Sequence, residues 1–547
     1  MWRQEKMREQ VVMRAAWVGC IVGGMTVLAA SAMAQSSAPE VKVDSGMLRG
    51  VRVAAMPRGG EFLGIPYAAQ PVGALRWRAP QPAPHWAGVR EATAWGAACP
   101  QRPSSWLPEM LGVRAMRTNE ACLYVNVWTP ELHPARKLPV LVWVHGGGNV
   151  EGSGEWPLGL GPTLARTGIV VVSLNYRLGA FGFFAYSGLD GETRGHVSGN
   201  YGNLDQIAAL GWVRRNVAAF GGDPQRVTVG GQSSGSEDVC ILMASPLARG
   251  LFEGVILESG TCVDSVYPKL KEEEVSDGGL LRDLGAADGP DALAKLRAMP
   301  ADRILESAAK DEHLDLGPTV DGWMLPQQPG TAFARGQQAP VAVMVGTNED
   351  EVSVFASPLV GATAYRPKTV QEYRDWLQRE FGRDFAGRVF AAYPAHEDSE
   401  VPGVFVTMFS DYDFAFSSWL VARDTPRTGR RAYLYRFTYV GAGPFAALGA
   451  FHSEELMFLS QHYWTSWVAQ PGDAALSRTL VSYWSDFVKT SDPNGAGLPQ
   501  WPAFRRSRND CQRLGQRVGP ERVPRVEKMA IFYEFLRTRL KGLPEKP

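Results

Sequence analysis

The chain reads as an α/β protein, and three local patterns carry that reading. Val140-Leu141-Val142-Trp143-Val144 and Val341-Ala342-Val343-Met344-Val345-Gly346 are apolar runs of strand length, the form taken by strands buried in a parallel-type sheet. A glycine-rich turn follows the first and an acidic loop the second, at the C-terminal edge where open α/β sheets gather ligand and catalytic groups. Between them, Gly231-Gln232-Ser233-Ser234-Gly235 joins a β-branched run, Arg226-Val227-Thr228-Val229, to a helix-like run from Ser236 to Ala244 with no breaker before Pro246.

From the N-terminus, residues 1–34 have the pattern of an export signal rather than of the fold. Arg8 and Arg14 make a basic start, Ala15 to Ala30 is apolar and uncharged, and Ala32-Met33-Ala34 before Gln35 has the small-x-small form a signal peptidase requires. The expectation is a secreted or periplasmic protein cleaved after Ala34, with no stable membrane anchor: the apolar run is short, and Cys20 follows Trp17-Val18-Gly19, a poor lipobox. Residues 35–547 contain no Pro/Ser-rich linker, charge run or repeat, so they read as a single α/β domain. Lys+Arg and Asp+Glu both total 56, and the zero formal charge leaves no electrostatic footprint for nucleic acid or an anionic membrane surface. With 17 Trp and 23 Phe there is ample material for a core and for an apolar pocket.

The first strand runs into His145-Gly146-Gly147-Gly148-Asn149, where consecutive glycines let backbone N–H groups converge on one substrate oxygen. A helix follows further on: Ile207, Leu210, Val213, Val217 and Phe220 recur on one face and Gly221-Gly222 ends it, so its role is packing beneath the site. In G-x-S-x-G a serine sits on a strained strand-to-helix turn, and the flanking glycines let strand and helix pass each other. Such a turn exposes the Ser233 hydroxyl and sets the Ser234 N–H at a helix N-terminus, facing any oxygen that becomes negative during attack.

A serine hydroxyl is a weak nucleophile until a base takes its proton, so a histidine and an acid must follow. Of the later histidines, His313 lies in a charged stretch ahead of the best acids, His396 in a polar loop, and His462 among Gln461, Tyr463 and Trp464. His452, between a Gly/Ala-rich loop and the apolar helical start at Leu456, is the best loop-borne candidate. Asp321, Glu349, Asp350 and Glu351 all lie between serine and histidine, and the last three fall in the loop after the Val341–Gly346 strand. Spacing does not separate Asp350 from Glu351.

With these residues in hand, the chain resembles the type B carboxylesterase/lipase family, including bacterial para-nitrobenzyl esterase-like members. The likeness runs from about Val41 to about Leu536, through Phe62-Leu63-Gly64-Ile65-Pro66-Tyr67-Ala68, Asn119-Glu120-Ala121-Cys122-Leu123-Tyr124-Val125-Asn126-Val127-Trp128, Gly199-Asn200-Tyr201-Gly202-Asn203-Leu204-Asp205-Gln206 and Phe220-Gly221-Gly222-Asp223-Pro224. The resemblance implies an α/β-hydrolase fold with a large, mostly parallel central sheet flanked by helices. It implies Ser233 as nucleophile, Glu351 as acid, His452 as base, and the N–H groups of Gly147, Gly148 and Ser234 as oxyanion donors. Arg177 and Asp205 match a family ion pair of structural character. Cys99 and Cys122 match a family disulfide at the rim of the active-site gorge, enclosing the apolar Trp106, Leu107, Met110, Leu111, Val113 and Met116 as a partial lid or a packed loop. A Cys240–Cys262 bridge would leave Cys511 free.

The chain departs from the family pattern at four places. Gln232 replaces a glutamate, Ser234 an alanine, Asn149 an aromatic and Val352 a glycine. Asn149 therefore leads to the expectation of a more polar acyl pocket, and Asn149, Phe355, Phe451 and Leu456 are the pocket candidates by position. The implied activity is hydrolysis of small to medium carboxylic esters through an acyl-enzyme, with no cofactor and no metal, on a small-molecule ester substrate. Two alternatives stand beside it: a non-catalytic cholinesterase-like binding module, and amide or carbamate hydrolysis by the same triad. Substrate identity and oligomeric state have no signature in the sequence.

Overall fold

The computed structural model describes residues 38–102, 116–286, 291–310, 314, 316–355, 357 and 366–546. Residues 1–34, expected from their pattern to serve export, His313 and the loop residues Trp106, Leu107, Met110, Leu111 and Val113 lie outside the described residues.

The strands in chain order are β1 (Glu40–Val43), β2 (Gly46–Arg49), β3 (Val51–Val53), β4 (Met56–Pro66), β5 (Val89–Glu91), β6 (Tyr124–Thr129), β7 (Leu138–Val144), β8 (Val170–Leu174), β9 (Gly222–Gln232), β10 (Gly254–Glu258), β11 (Ala342–Asn348), β12 (Ala432–Phe437), β13 (Asp510–Leu514) and β14 (Gly519–Arg522). Three of them form a small sheet in the order β1-β2-β5, and eleven form the central sheet in the order β14-β13-β12-β11-β10-β9-β7-β8-β6-β4-β3. Pairing is parallel from β8 through β13 and antiparallel at both margins, so the expected large, mostly parallel sheet is found.

Strand alternation feeds two cores, one on each face of the sheet. Val140, Val142, Val144, Val255, Leu257, Val343 and Val345 pack into one, while Leu141, Trp143, Ile256 and Met344 pack into the other. Four helices matter for the site: α1 (Tyr201–Asn216), α2 (Ser234–Ala244), α3 (Glu454–Ser460) and α4 (Asp473–Thr490). Helix α1 continues as a 3-10 turn, Val217–Phe220, and stops at Gly221, whose φ of 82° ends the helix as its glycine pattern requires.

The parallel register brings the site to one edge. Gln232 on β9 is level with Glu258 on β10, which is level with Gly346 on β11. The Arg177–Asp205 pair is sealed behind this edge, at 2.7 Å on each of two contacts, and fixes the start of α1 against the strand-to-loop turn after β8. Disulfides join Cys99 to Cys122 and Cys240 to Cys262; Cys511 is free and buried.

Candidate active site

Ser233 occupies the turn between β9 and α2 with φ 57° and ψ −134°, a conformation that strains a residue bearing a Cβ. Hydrogen bonds hold it there. Its N–H donates to the Glu258 carbonyl at 2.9 Å, and its own carbonyl accepts from the N–H of Ser236 at 2.8 Å and of Glu237 at 3.0 Å. The glycines around it are required by close approach: a Cβ on Gly231 would meet the backbone of Gly235, and one on Gly235 would meet the backbone of Val144 and His145. Gly146 is equally constrained, since a Cβ there would stand 2.5 Å from the Gln232 carbonyl and 3.0 Å from the Ser233 Cβ. The β7 loop and the serine turn are thus pressed together. Ser234 is the first residue of α2, so its N–H has no partner within the helix.

His452 arrives from the loop after β12, just before α3. Its Nδ1 lies 2.6 Å from Glu351 Oε2. Glu351 begins a short 3-10 turn beyond β11 and has no exposed surface; its other oxygen accepts from Thr347 Oγ1 at 2.6 Å and from the Asn348 N–H at 2.7 Å. Asn348 Nδ2 in turn donates to the Phe451 carbonyl at 2.7 Å, tying the histidine loop to β11. With Nδ1–H donated to Glu351, the neutral ring keeps its lone pair on Nε2, and Gln232 Nε2 donates to it at 3.0 Å.

The other acids and histidines sort by their partners. Asp350 Oδ2 accepts from the Ala450 N–H at 3.0 Å, bracing the loop two residues before His452. Glu349 pairs with Arg436 and Arg525, which lower its pKa against the opposing effect of burial. Asp321 Oδ1 accepts from the N–H groups of Trp323 and Leu325 and orders its own turn. His396 is exposed and His462 half-buried, and neither lines the cavity described next.

Ser233 and His452 line a common cavity of about 460 Å³ together with Gly146, Gly147 and Gly148. Trp143, Trp156, Leu158, Phe355, Leu456 and Trp464 make its walls apolar. Phe355 and Leu456 are therefore where position suggested. Phe451 is not: it is buried against Trp464, ring centroids 4.7 Å apart, and Trp464 takes the wall position instead. Asn149 does not line this apolar cavity: its side chain is buried in hydrogen bonds to Tyr176 and Asp238 behind the glycine loop, and with Gly148 it borders a second cavity whose lining includes the acidic Glu237, Asp264 and Asp413. A polar side chain can follow its hydrogen-bond partners away from a cavity, and sequence position does not reveal that choice. His145 is also buried, stacked on Tyr176 at 4.5 Å, and burial pushes its pKa down to about 4, so the ring is neutral.

Sequence reasoning missed four contributors: Asp238, Tyr176 and the buried pair Glu258 and Glu455. A charged residue within the apolar run after the elbow, and another ending a strand of buried residues, were the available signals. Among the described residues, no group of three or more His, Cys, Asp or Glu side chains is arranged to hold a metal, and no helix is long and apolar enough to cross a membrane.

A sequence model described as the carboxylesterase family matches residues 37–530. The chain is 36% identical over 468 residues to a fumonisin B1 esterase of Sphingopyxis macrogoltabida, spanning 84% of each protein. It is 35% identical over 488 residues to a para-nitrobenzyl esterase of Bacillus subtilis (strain 168), covering 86% of this chain and 94% of that one. A solved PNB esterase structure superposes with a TM-score of 0.77 at 32% identity, over 91% of this chain and all of the other. The chain belongs to the carboxylesterase family: its fold is that of the α/β-hydrolases, and it is a hydrolytic enzyme of the serine type.

Proposed function

We propose that Ser233, His452 and Glu351 carry ester hydrolysis in this enzyme, on neutral esters with apolar groups of small to medium size. The observation that carries the reading is the meeting of a strained serine turn and a carboxylate-anchored imidazole at one apolar cavity. His452 Nε2 takes the Ser233 proton as Oγ attacks the ester carbonyl, for which the Gln232 amide must yield Nε2 to the hydroxyl. Glu351, anchored by Thr347 and Asn348, holds the ring and stabilises the imidazolium. The N–H groups of Gly147, Gly148 and Ser234 receive the oxyanion. Collapse expels the alcohol with the proton from His452, and water repeats the sequence on the acyl-enzyme. The apolar walls favour uncharged acyl or alcohol groups through burial.

Residues 35–547 act as one catalytic domain, and the protein works outside the cytoplasm after removal of residues 1–34; two disulfides support an oxidising compartment. N-terminal sequencing of the exported protein should return Gln35, and an intact Met1 would refute export by cleavage. For the triad, Ser233→Ala and His452→Ala should each lower kcat for p-nitrophenyl butyrate by roughly 10⁴-fold or more, and Ser233→Ala should abolish fluorophosphonate labelling. A folded Ser233→Ala protein that still labels, or still turns over, would overturn the assignment.

A further inference from the structure

Two of the positions at which this chain leaves the family pattern, Asn149 and Ser234, are hydrogen-bonded to each other. The Asn149 N–H donates to Ser234 Oγ at 3.1 Å. All other polar groups of Asn149 are engaged too: its carbonyl accepts from the Gly179 N–H at 2.7 Å, Oδ1 accepts from the Tyr176 hydroxyl at 3.0 Å, and Nδ2 donates to Asp238 Oδ1 at 3.3 Å. Tyr176 Oη also lies 2.9 Å from the carbonyl of His145, at the start of the glycine loop, so its single proton is shared between that carbonyl and Asn149 Oδ1.

The anchor of this set is Asp238 on α2, a carboxylate with no exposed surface. Among the described residues it has no ion pair. Its oxygens are held by side-chain amides, from Asn203 at 2.9 Å and Gln206 at 2.6 Å on α1, and from Asn149 on the loop. One side chain therefore ties the glycine loop to two helices.

An oxyanion hole lowers the barrier only if its donors are fixed before charge develops, because reorientation during reaction cancels the gain. Gly147 and Gly148, at φ 111° and 62°, have no side chain by which to be fixed. Part of the restraint is the turn's own, since the Gly147 carbonyl accepts from the Val150 and Glu151 N–H groups at 3.1 and 3.0 Å; the rest comes from Asn149, itself in the left-handed region at φ 59° and hydrogen-bonded through both backbone and side chain. We propose that Asn149, Ser234 and Asp238 form a positioning unit that presets the Gly147 and Gly148 N–H groups for the transition state. This rests on the oxyanion role given to those glycines above. The Ser234 hydroxyl has a part in the same unit, since it occupies the Asn149 N–H and so keeps that donor turned away from the hole.

Asn149→Gly removes the side chain while keeping a residue at ease with positive φ, and Asp238→Ser removes the anchor from the other end. The readouts are kcat and KM for p-nitrophenyl butyrate and the inhibition constant of a trifluoromethyl ketone, whose adduct with serine mimics the tetrahedral oxyanion, all measured below each variant's unfolding range. Each variant should lose about 10-fold or more in kcat with KM within about twofold, weaken the ketone by a similar factor, and lose little more when combined. Ser234→Ala, which removes only the acceptor, should move the same readouts in the same direction by less and serves if Asn149→Gly does not fold. Wild-type kcat in folded Asn149→Gly, losses that multiply in the double variant, or losses confined to thermal stability would each overturn the proposal. Ser233→Ala run in parallel separates the two levels. An active Ser233→Ala enzyme overturns the site and this unit with it, whereas an inactive one beside a fully active Asn149→Gly enzyme overturns the unit alone.

Discussion

Two sets of carboxyl groups are sealed around the His452 loop, and they are built differently. Glu351 receives three donors, from Thr347, Asn348 and His452, and both oxygens are satisfied. Glu258 receives one donor, Trp484 Nε1 at 2.6 Å, and Glu455 one, Asn348 Nδ2 at 2.5 Å; each keeps a buried oxygen without a partner. All three are fully buried. Burial pushes Glu258 and Glu455 well above the ordinary carboxylate range, and the repulsion of Glu258 adds to the rise at Glu455. Depth is the same and residue type is the same; what differs is the number of donors, each of which offsets part of the cost of burying a carboxyl group. Only the fully solvated-by-protein one is fit to steady an imidazolium.

The largest effect that sharpens this contrast is on turnover. Glu351→Gln should lower kcat by roughly 10³- to 10⁴-fold, whereas Glu455→Gln should stay within about tenfold of wild type, and so should Asp350→Asn, whose amide oxygen can still accept from Ala450. Equal impairment of Glu351→Gln and Glu455→Gln in steady-state assays would erase the distinction, and equal impairment of Asp350→Asn would reassign the acid.

Next in size is the pH dependence of stability. Glu258 has its folded pKa raised above the ordinary 4.5, so the unfolded chain releases this proton first as pH rises, and folding then works against ionisation. Stability owed to this group is intact below pH 4.5 and falls as pH climbs toward the folded pKa. Glu258→Gln keeps an acceptor for Trp484 without the titration. Its unfolding free energy should match wild type near pH 4.5 and exceed it increasingly above, by at most about 1.4 kcal/mol per pH unit. A constant offset across that range in urea melts would mean that Glu258 is ionised in the fold.

The smallest effect comes from the other ring nitrogen. Gln232→Glu places a carboxylate beside His452 Nε2, which favours the imidazolium and raises the histidine pKa. Since the base must be neutral to act, the acidic limb of kcat/KM against pH should move up by about one unit. A limb that stays in place would mean that Gln232 does not face the ring in the working enzyme.

Much of the site is legible without coordinates because its chemistry is local. Gly231, Gly235 and the glycines after β7 are there for backbone approach within a few residues, and such requirements are written in short words of sequence. Boundaries are less so: Thr347 and Asn348 read as loop, yet β11 runs through them because β12 pairs alongside as far as Phe437. Ladder pairing is decided by a strand some ninety residues away, about which local pattern is silent. The same holds for Asn149, which by position belonged to the pocket and by partners belongs to the scaffold.

By itself the sequence determined the class of fold, the serine turn, the glycine loop and the order of serine, acid and histidine, since each depends on neighbours along the chain or on a long resemblance. Only the tertiary structure decided that Gln232 holds the far nitrogen of His452, that Trp464 replaces Phe451 in the cavity wall, and that Asp238 stands behind the glycine loop. The Gln232 and Asp238 contacts join segments 85 or more residues apart, as does that of Asn149 with Ser234, and their geometry exists only once the sheet has aligned the strand ends.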